Sequence, residues 1–249
     1  MLLVAGCDQL FELGHVQPDA PLFLDAAPGC VGDTTLTTGL VAWYQMESIA
    51  RDTLVDSSGN GHDGTCSIAI GTCPTPAPGK FCGGLHFDGL KQIVEIPSAS
   101  DLEASPEFTV AAWLSVDQFP THSLCPLNKL YGTTGDDAWQ LCLEPDLSLG
   151  FFTVGSMLYS DSSQALTPNT WFHLAILYDG TNMVIAVNGL ALTQLVAGPT
   201  MFDSQPVTIG ADIDGALTTA PFIGTLDDVR IYNRALTTEE IAQLAAAGS

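Results

Sequence analysis

Residues 56–64 read Asp-Ser-Ser-Gly-Asn-Gly-His-Asp-Gly. Two carboxylates, an amide and two hydroxyls fall within nine positions, and the glycines let backbone carbonyls converge. Calcium takes about six to eight hard oxygen ligands, and such a loop can supply several of them. Asp227 or Asp228, far along the chain, could add a carboxylate from a second segment. The competing reading is an Asx-type turn with a capping carboxylate and no metal. Ala211-Asp212-Ile213-Asp214-Gly215 hints at an EF-hand loop. Its first and twelfth ligand positions would be Gly210 and Pro221, which cannot serve, so it reads as a solvent loop near a binding face.

Three aromatics border polar loops. Tyr131 and Trp139 flank the longest polar loop of the middle region, and Tyr159 sits in another. Exposed rings with polar rims suit sugar stacking. The competing reading of Trp139 is a strand residue packed inward. Trp43, Trp113 and Trp171 read as packing residues. Catalysis has little support, because the chain has no Gly-x-Ser-x-Gly elbow and no His-Glu-x-x-His helix. His15, His62, His86, His122 and His173 are scattered, and His86 and His173 lie in strand-like runs as structural residues.

Seven cysteines in a chain with few charges point to an oxidising compartment. Cys125 and Cys142 flank two consecutive strands joined by residues 131–137. An antiparallel pair there would bring them opposite each other, so a disulfide is expected. Cys30, Cys66, Cys73 and Cys82 leave three pairings open. No Cys-x-x-Cys pair supports zinc. Cys7 is the odd one out.

The 249 residues carry 28 acidic and 6 basic side chains, a formal charge of −22. Such a chain repels phosphate backbones and anionic lipid, so no nucleic-acid partner is expected. It favours cations and neutral ligands. Charged residues are only 14%, against roughly 25% in an average soluble chain. Hydrophobic residues, at 46%, are enough for a buried core. No segment approaches the roughly 20 apolar residues of a membrane span.

Short β runs broken by turns position these groups. Strands are expected at 40–44, 92–96, 108–116, 139–143, 147–154, 171–178, 183–187, 190–196, 207–210 and 222–232. In 108–116, Phe108, Val110, Ala112, Leu114 and Val116 alternate onto one face. Asn188-Gly189 between two runs signals a hairpin. One helix stands out at the C-terminus, with Thr237 and Glu240 as a capping box, Ile241 and Leu244 on one face, and Gly248 at its end. The pattern is all-β, a sandwich or jelly roll with a short C-terminal helix.

The ordered blocks resemble the laminin-G-like, concanavalin A-like jelly-roll family of bacterial extracellular proteins. They are Gly39-Leu40-Val41-Ala42-Trp43-Tyr44 with the 56–64 loop, Gly84-Leu85-His86-Phe87-Asp88-Gly89, Val94-Glu95-Ile96-Pro97, Phe108 to Leu114, Trp171-Phe172-His173-Leu174-Ala175, and Val187-Asn188-Gly189. The closing block, 222–236, is the most specific: Phe-Ile-Gly-Thr-Leu-Asp-Asp-Val-Arg-Ile-Tyr-Asn-Arg-Ala-Leu. In that family a structural ion often joins the first loop to the closing strand. The resemblance therefore implies calcium on Asp56, Asn60 and Asp227, with Asp228 as substitute. Glycosidases sharing the sandwich carry a Glu-x-Asp-x-x-Glu strand, which this chain lacks. Val4-Ala5-Gly6-Cys7 resembles the lipobox of bacterial lipoproteins, which implies lipidation at Cys7. The expected organisation is a partial signal (1–7), a proline-containing tether (8–36) and one jelly-roll domain (37–249). The expected role is non-enzymatic binding of a glycan in the bacterial cell envelope, lipid-anchored or secreted. The alternatives are a protein-binding or structural module of a surface assembly, and a glycoside hydrolase-like enzyme.

Overall fold

A computed structural model of the chain describes residues 30, 32–66, 68–103, 106–133, 135–161 and 166–247. Cys7, the tether up to residue 29 and Gly248 lie outside the described residues.

Two eight-stranded sheets face each other. The first runs β14 (Leu190–Val196), β13 (Asn182–Val187), β12 (Phe172–Tyr178), β7 (Phe108–Val116), β18 (Ile223–Tyr232), β5 (Gly83–Asp88) and β4 (Thr75–Phe81), with β1 (Leu40–Tyr44) also paired to β18. The second runs β11 (Ser156–Tyr159), β10 (Leu149–Thr153), β9 (Asp136–Leu143), β8 (Leu124–Tyr131), β15 (Val207–Ile209), β6 (Val94–Ile96), β3 (Gly64–Thr65) and β2 (Thr53–Leu54). A small hairpin, β16 (Asp212–Asp214) with β17 (Leu217–Thr219), stands apart from both. α1 (Ser100–Glu103) is one short turn, and α2 (Thr238–Ala246) closes the chain.

The alternation expected in β7 is present. Phe108, Val110, Ala112, Leu114 and Val116 all enter the core between the sheets. Phe108 is a hub, with its ring 6.0–6.2 Å from those of Trp139, Phe151, Tyr178 and Phe202. On the outer face of the same sheet, Ala111, Ala175, Leu177, Ala186 and Tyr232 form a second apolar patch. Leu236, Ile241 and Leu244 cover it, which is why so short a helix persists. Its capping box is formed, and Arg234 grips Glu240 with two bonds of 2.7 and 2.8 Å. Asn188 and Gly189 turn the β13–β14 hairpin with φ of 48° and 83°, the left-handed pair such a turn requires.

The elements β2, β3, β4, β11, β16, β17 and α1 were not expected from the sequence. β4 carries Pro76 and Pro78 and reads poorly as a strand. It survives because it is an edge strand, where a missing N–H breaks no central ladder. The stretch expected as a solvent loop at 211–215 forms β16 and its turn instead.

All three disulfides are formed: Cys125–Cys142 as expected, and Cys30–Cys82 and Cys66–Cys73 among the open pairings. Cys30–Cys82 spans 52 residues, a closure worth about 4 kcal/mol in the chain-entropy account. Three disulfides fit an extracytoplasmic compartment. Among the described residues no helix is long and apolar enough to cross a membrane.

Candidate functional site

The 56–64 loop is organised by its own hydrogen bonds. Asp56 Oδ1 accepts from Trp43 N (3.0 Å) and Ser58 N (2.9 Å). Its Oδ2 accepts from Ser58 Oγ (2.8 Å) and His62 N (3.0 Å). Burial works to raise the Asp56 pKa, but these donors outweigh it and hold the carboxyl below its ordinary value. Asn60 turns its amide nitrogen to the carbonyls of Leu40 and Val41. The loop is thus an Asx-type clasp on β1.

Asp228 is also committed to the protein. A bulge in β18 places it at φ 49° on the outer face of the first sheet. Its Oδ1 accepts from Trp43 Nε1 (2.6 Å) and from Arg230 Nε and Nη2 (3.0 Å each). The Arg230 guanidinium lies 4.4 Å from the Trp43 ring centre. Asp56 and Asp228 thus meet protein donors, and Asn60 turns its nitrogen to β1 carbonyls, whereas Asp227 sits against a different turn. Among the described residues, the only three acidic, Cys or His groups within 4.8 Å of one another are Asp52, Cys66 and Cys73, and those cysteines are bonded together.

Asp227 and Glu47 both bond to the turn at residues 79–83. Asp227 is fully buried. Its Oδ2 accepts from Phe81 N (2.7 Å), and its Oδ1 has no donor. Glu47 Oε2 accepts from Gly83 N (3.0 Å), and its buried Oε1 has no donor either. Both carboxylates thus hold the turn at residues 79–83, which Gly79 N and Cys82 O close at 2.8 Å. A Cβ on Gly79 would collide with the Gly83 carbonyl, so the turn is drawn too tight for a side chain there. Burial pushes Asp227 up to about 8 and raises Glu47 as well. Buried carboxylate oxygens without donors call for a proton or a cation. The hard-oxygen donor set suits calcium, with Glu47, Asp227 and carbonyls of the turn as ligands. Glu47 was missed because Gln45-Met46-Glu47-Ser48 holds a single acid and no motif.

The aromatic candidates divide. Trp139 is only 2% exposed and points inward with Leu141 and Leu143, against Phe108. This corrects its assignment as a ligand contact: β9 alternates, and its large apolar side chains fill the core. Tyr131 ends β8, half-buried, and lines a cavity of about 120 Å³ with Gly132, Gln205, Ile213 and Gly215. Tyr159 is 50% exposed. It lies opposite Gly150 on β10, with Phe152 edge-on at 5.3 Å. Met157, 65% exposed, lies opposite Phe152. Leu158 and Phe151 enter the core, so Phe152, Met157 and Tyr159 share the outer face of the second sheet. Phe152 and Met157 were missed, because their shared face follows from the pairing of β10 with β11, a strand the sequence did not announce.

The β16–β17 hairpin is anchored to that outer face. Asn128 Nδ2 and Thr208 Oγ1 both donate to Ala211 O, at 3.0 and 2.8 Å. Gln140, which pairs with Phe152, hydrogen-bonds Asp212. The aromatic group and the acidic hairpin therefore border the same surface.

Comparison with known proteins places this architecture. The family model of the Concanavalin A-like lectin/glucanases superfamily matches residues 88–242, more than half of the chain. Domain 4 of AbnA, an extracellular arabinanase of Geobacillus stearothermophilus solved with arabinotriose, is similar at 22% identity and a TM-score of 0.65, covering 83% of this chain and 98% of that one. The binding domain of Paraclostridial Mosquitocidal Protein 1 is similar at 16% identity and a TM-score of 0.66, over 84% of this chain. Trypanosoma rangeli sialidase is similar at 19% identity and a TM-score of 0.64, over 84% of this chain. This chain spans 52% of that binding domain and 32% of that sialidase. A search of the curated proteins returns no match.

Proposed function

This chain belongs to the Concanavalin A-like lectin/glucanases superfamily, and on that premise we propose that it is a non-enzymatic module that binds a neutral glycan outside the cytoplasm. The observation that carries this is the group of exposed Tyr159 and Met157 with half-buried Phe152 on the second sheet's outer face. The Tyr159 ring, braced edge-on by Phe152, offers a sugar ring one flat, apolar face with polar neighbours such as Gln140. The net charge of −22 disfavours anionic sugars and leaves neutral ones unopposed. The arabinotriose complex of the similar arabinanase domain supports the sugar class. An envelope location would follow if Cys7 carries a lipid, as its lipobox-like setting implies.

Glycan-array screening followed by calorimetry tests the reading. Tyr159→Ala should weaken binding of the best glycan at least tenfold, about 1.4 kcal/mol, while leaving the melting temperature unchanged. Unaltered affinity in that variant, or turnover of the glycan, would overturn the proposal. An array without signal, with binding to a surface protein instead, would favour the interaction-module alternative.

Calcium is proposed as a structural partner, held by Glu47 and Asp227 against the 79–83 turn, where it would meet the donorless oxygens of a half-buried and a buried carboxylate. Added calcium should raise the melting temperature and EDTA lower it, since a ligand of the folded state alone stabilises it by mass action. At about a hundredfold excess over Kd the gain is about 2.7 kcal/mol. The Glu47→Gln/Asp227→Asn double variant should lose most of this response. An equal response in wild type and variant would exclude these two ligands.

A further inference from the structure

We propose that a second divalent cation binds where β9 meets the β16–β17 hairpin, held by Asp137 together with Asp212 and Asp214. Asp137 is 9% exposed, and its buried Oδ1 has no hydrogen-bond donor. The charges that bear on it are Asp212 and Asp214 from the hairpin and Asp136 from its own strand, all of like sign. Lys129, on the neighbouring β8, sends its ammonium elsewhere, to Ser98 Oγ and the carbonyls of Asp203 and Gln205.

Asp212 is equally enclosed, and receives Ile213 N at 2.6 Å and Thr219 Oγ1 at 3.4 Å. Asp214 Oδ1 lies against Gly135, where a Cβ would collide with it. The cavity of about 120 Å³ lined by Gly135, Asp136, Ile213 and Gly215 opens beside this group. Burial and the three neighbouring carboxylates push Asp137 up to about 8, as expected of a carboxylate set among like charges. A buried acceptor without a donor, set among like charges, is what a hard cation repairs.

The three carboxylates do not all lie within 4.8 Å of one another. They would supply part of the roughly six to eight oxygens calcium takes, with carbonyls and water completing the shell. This also explains the Asp212-Ile213-Asp214-Gly215 stretch. As an EF-hand it fails, because Gly210 and Pro221 stand where ligands belong. The fold supplies another ligand from a strand some 75 residues earlier. The proposal is independent of the glycan reading.

Equilibrium dialysis of the disulfide-intact chain against calcium alone tests it. Wild type should bind two ions per chain, Asp137→Asn one, Asp227→Asn one, and the double variant none. Asn is a neutral isostere of Asp and is not repelled by the neighbouring carboxylates, so the melting temperature of Asp137→Asn in EDTA should be no lower than that of wild type, which separates lost binding from lost fold. Asp214→Asn, nearer the surface, should weaken the same ion at least tenfold. One ion in wild type that vanishes only in Asp137→Asn would support this site and remove the one at Glu47. An ion count unchanged by Asp137→Asn, or a single ion lost only in Asp227→Asn, would overturn the proposal.

Discussion

Asp228→Ala is expected to cost about 3–5 kcal/mol of folding stability, the range for breaking a buried ion pair from one side. The reason lies in what it leaves behind. Arg230 is almost wholly buried, and burial alone would weaken its charge. Asp228, 3.0 Å away, more than restores that charge and raises the Arg230 pKa. The same carboxylate accepts from the Trp43 indole at 2.6 Å. Its removal leaves a guanidinium and an indole N–H without their acceptor in a desolvated layer. The N-terminal segment packs on this pair too, since a Cβ on Gly32 would collide with the Asp228 carboxylate. Urea unfolding measures the cost. An Asp228→Asn/Arg230→Met double variant should recover most of it, because the asparagine tolerates φ 49°, its amide oxygen still accepts from Trp43 Nε1, and no buried charge is left without a counter-charge. A loss below about 1 kcal/mol in Asp228→Ala would place this pair with exposed surface pairs.

The second large effect is acid lability through His173. This imidazole is 2% exposed, edge-on to Trp113 at 5.4 Å, with no partner at Nδ1. Burial, with a smaller contribution from the Arg230 charge, depresses its pKa from 6.5 to about 3. Below 6.5 the unfolded chain takes up a proton that the folded chain refuses. Stability is therefore complete above about pH 6.5 and falls as pH drops through the window down to about 3. Between 6.5 and about pH 4 the loss from this group alone is about 3 kcal/mol. Asp227 runs the other way: its raised pKa favours the folded state at acid pH and removes that benefit as pH climbs towards about 8. The comparison must therefore be between wild type and His173→Gln in EDTA, at about pH 7 and about pH 4. The difference between the two proteins should change by about 3 kcal/mol across that interval. Equal acid sensitivity in both would mean that His173 is protonated in the folded state.

Much of the site was legible only as residue types. The 56–64 loop is oxygen-rich, as a calcium loop would be, yet Asp56 spends both oxygens on backbone and hydroxyl donors. Composition does not show which donors reach a carboxylate first. Trp139 borders a polar loop in sequence, but strand parity turns it inward. The same parity turns Phe152 and Met157 outward, and it becomes readable only once β10 and β11 are known to pair.

The sequence alone determined the sandwich, because period-two alternation and turn residues act over a few neighbours and are written in the chain itself. It determined the capping box and the Cys125–Cys142 bridge for the same reason, since both join segments close along the chain. Tertiary structure decided which carboxylates are left without donors. Glu47 meets the Asp227 turn, and Asp137 meets the 212–214 hairpin, across long stretches of chain. Such meetings depend on sheet register and burial, which are set by the whole core rather than by any local pattern.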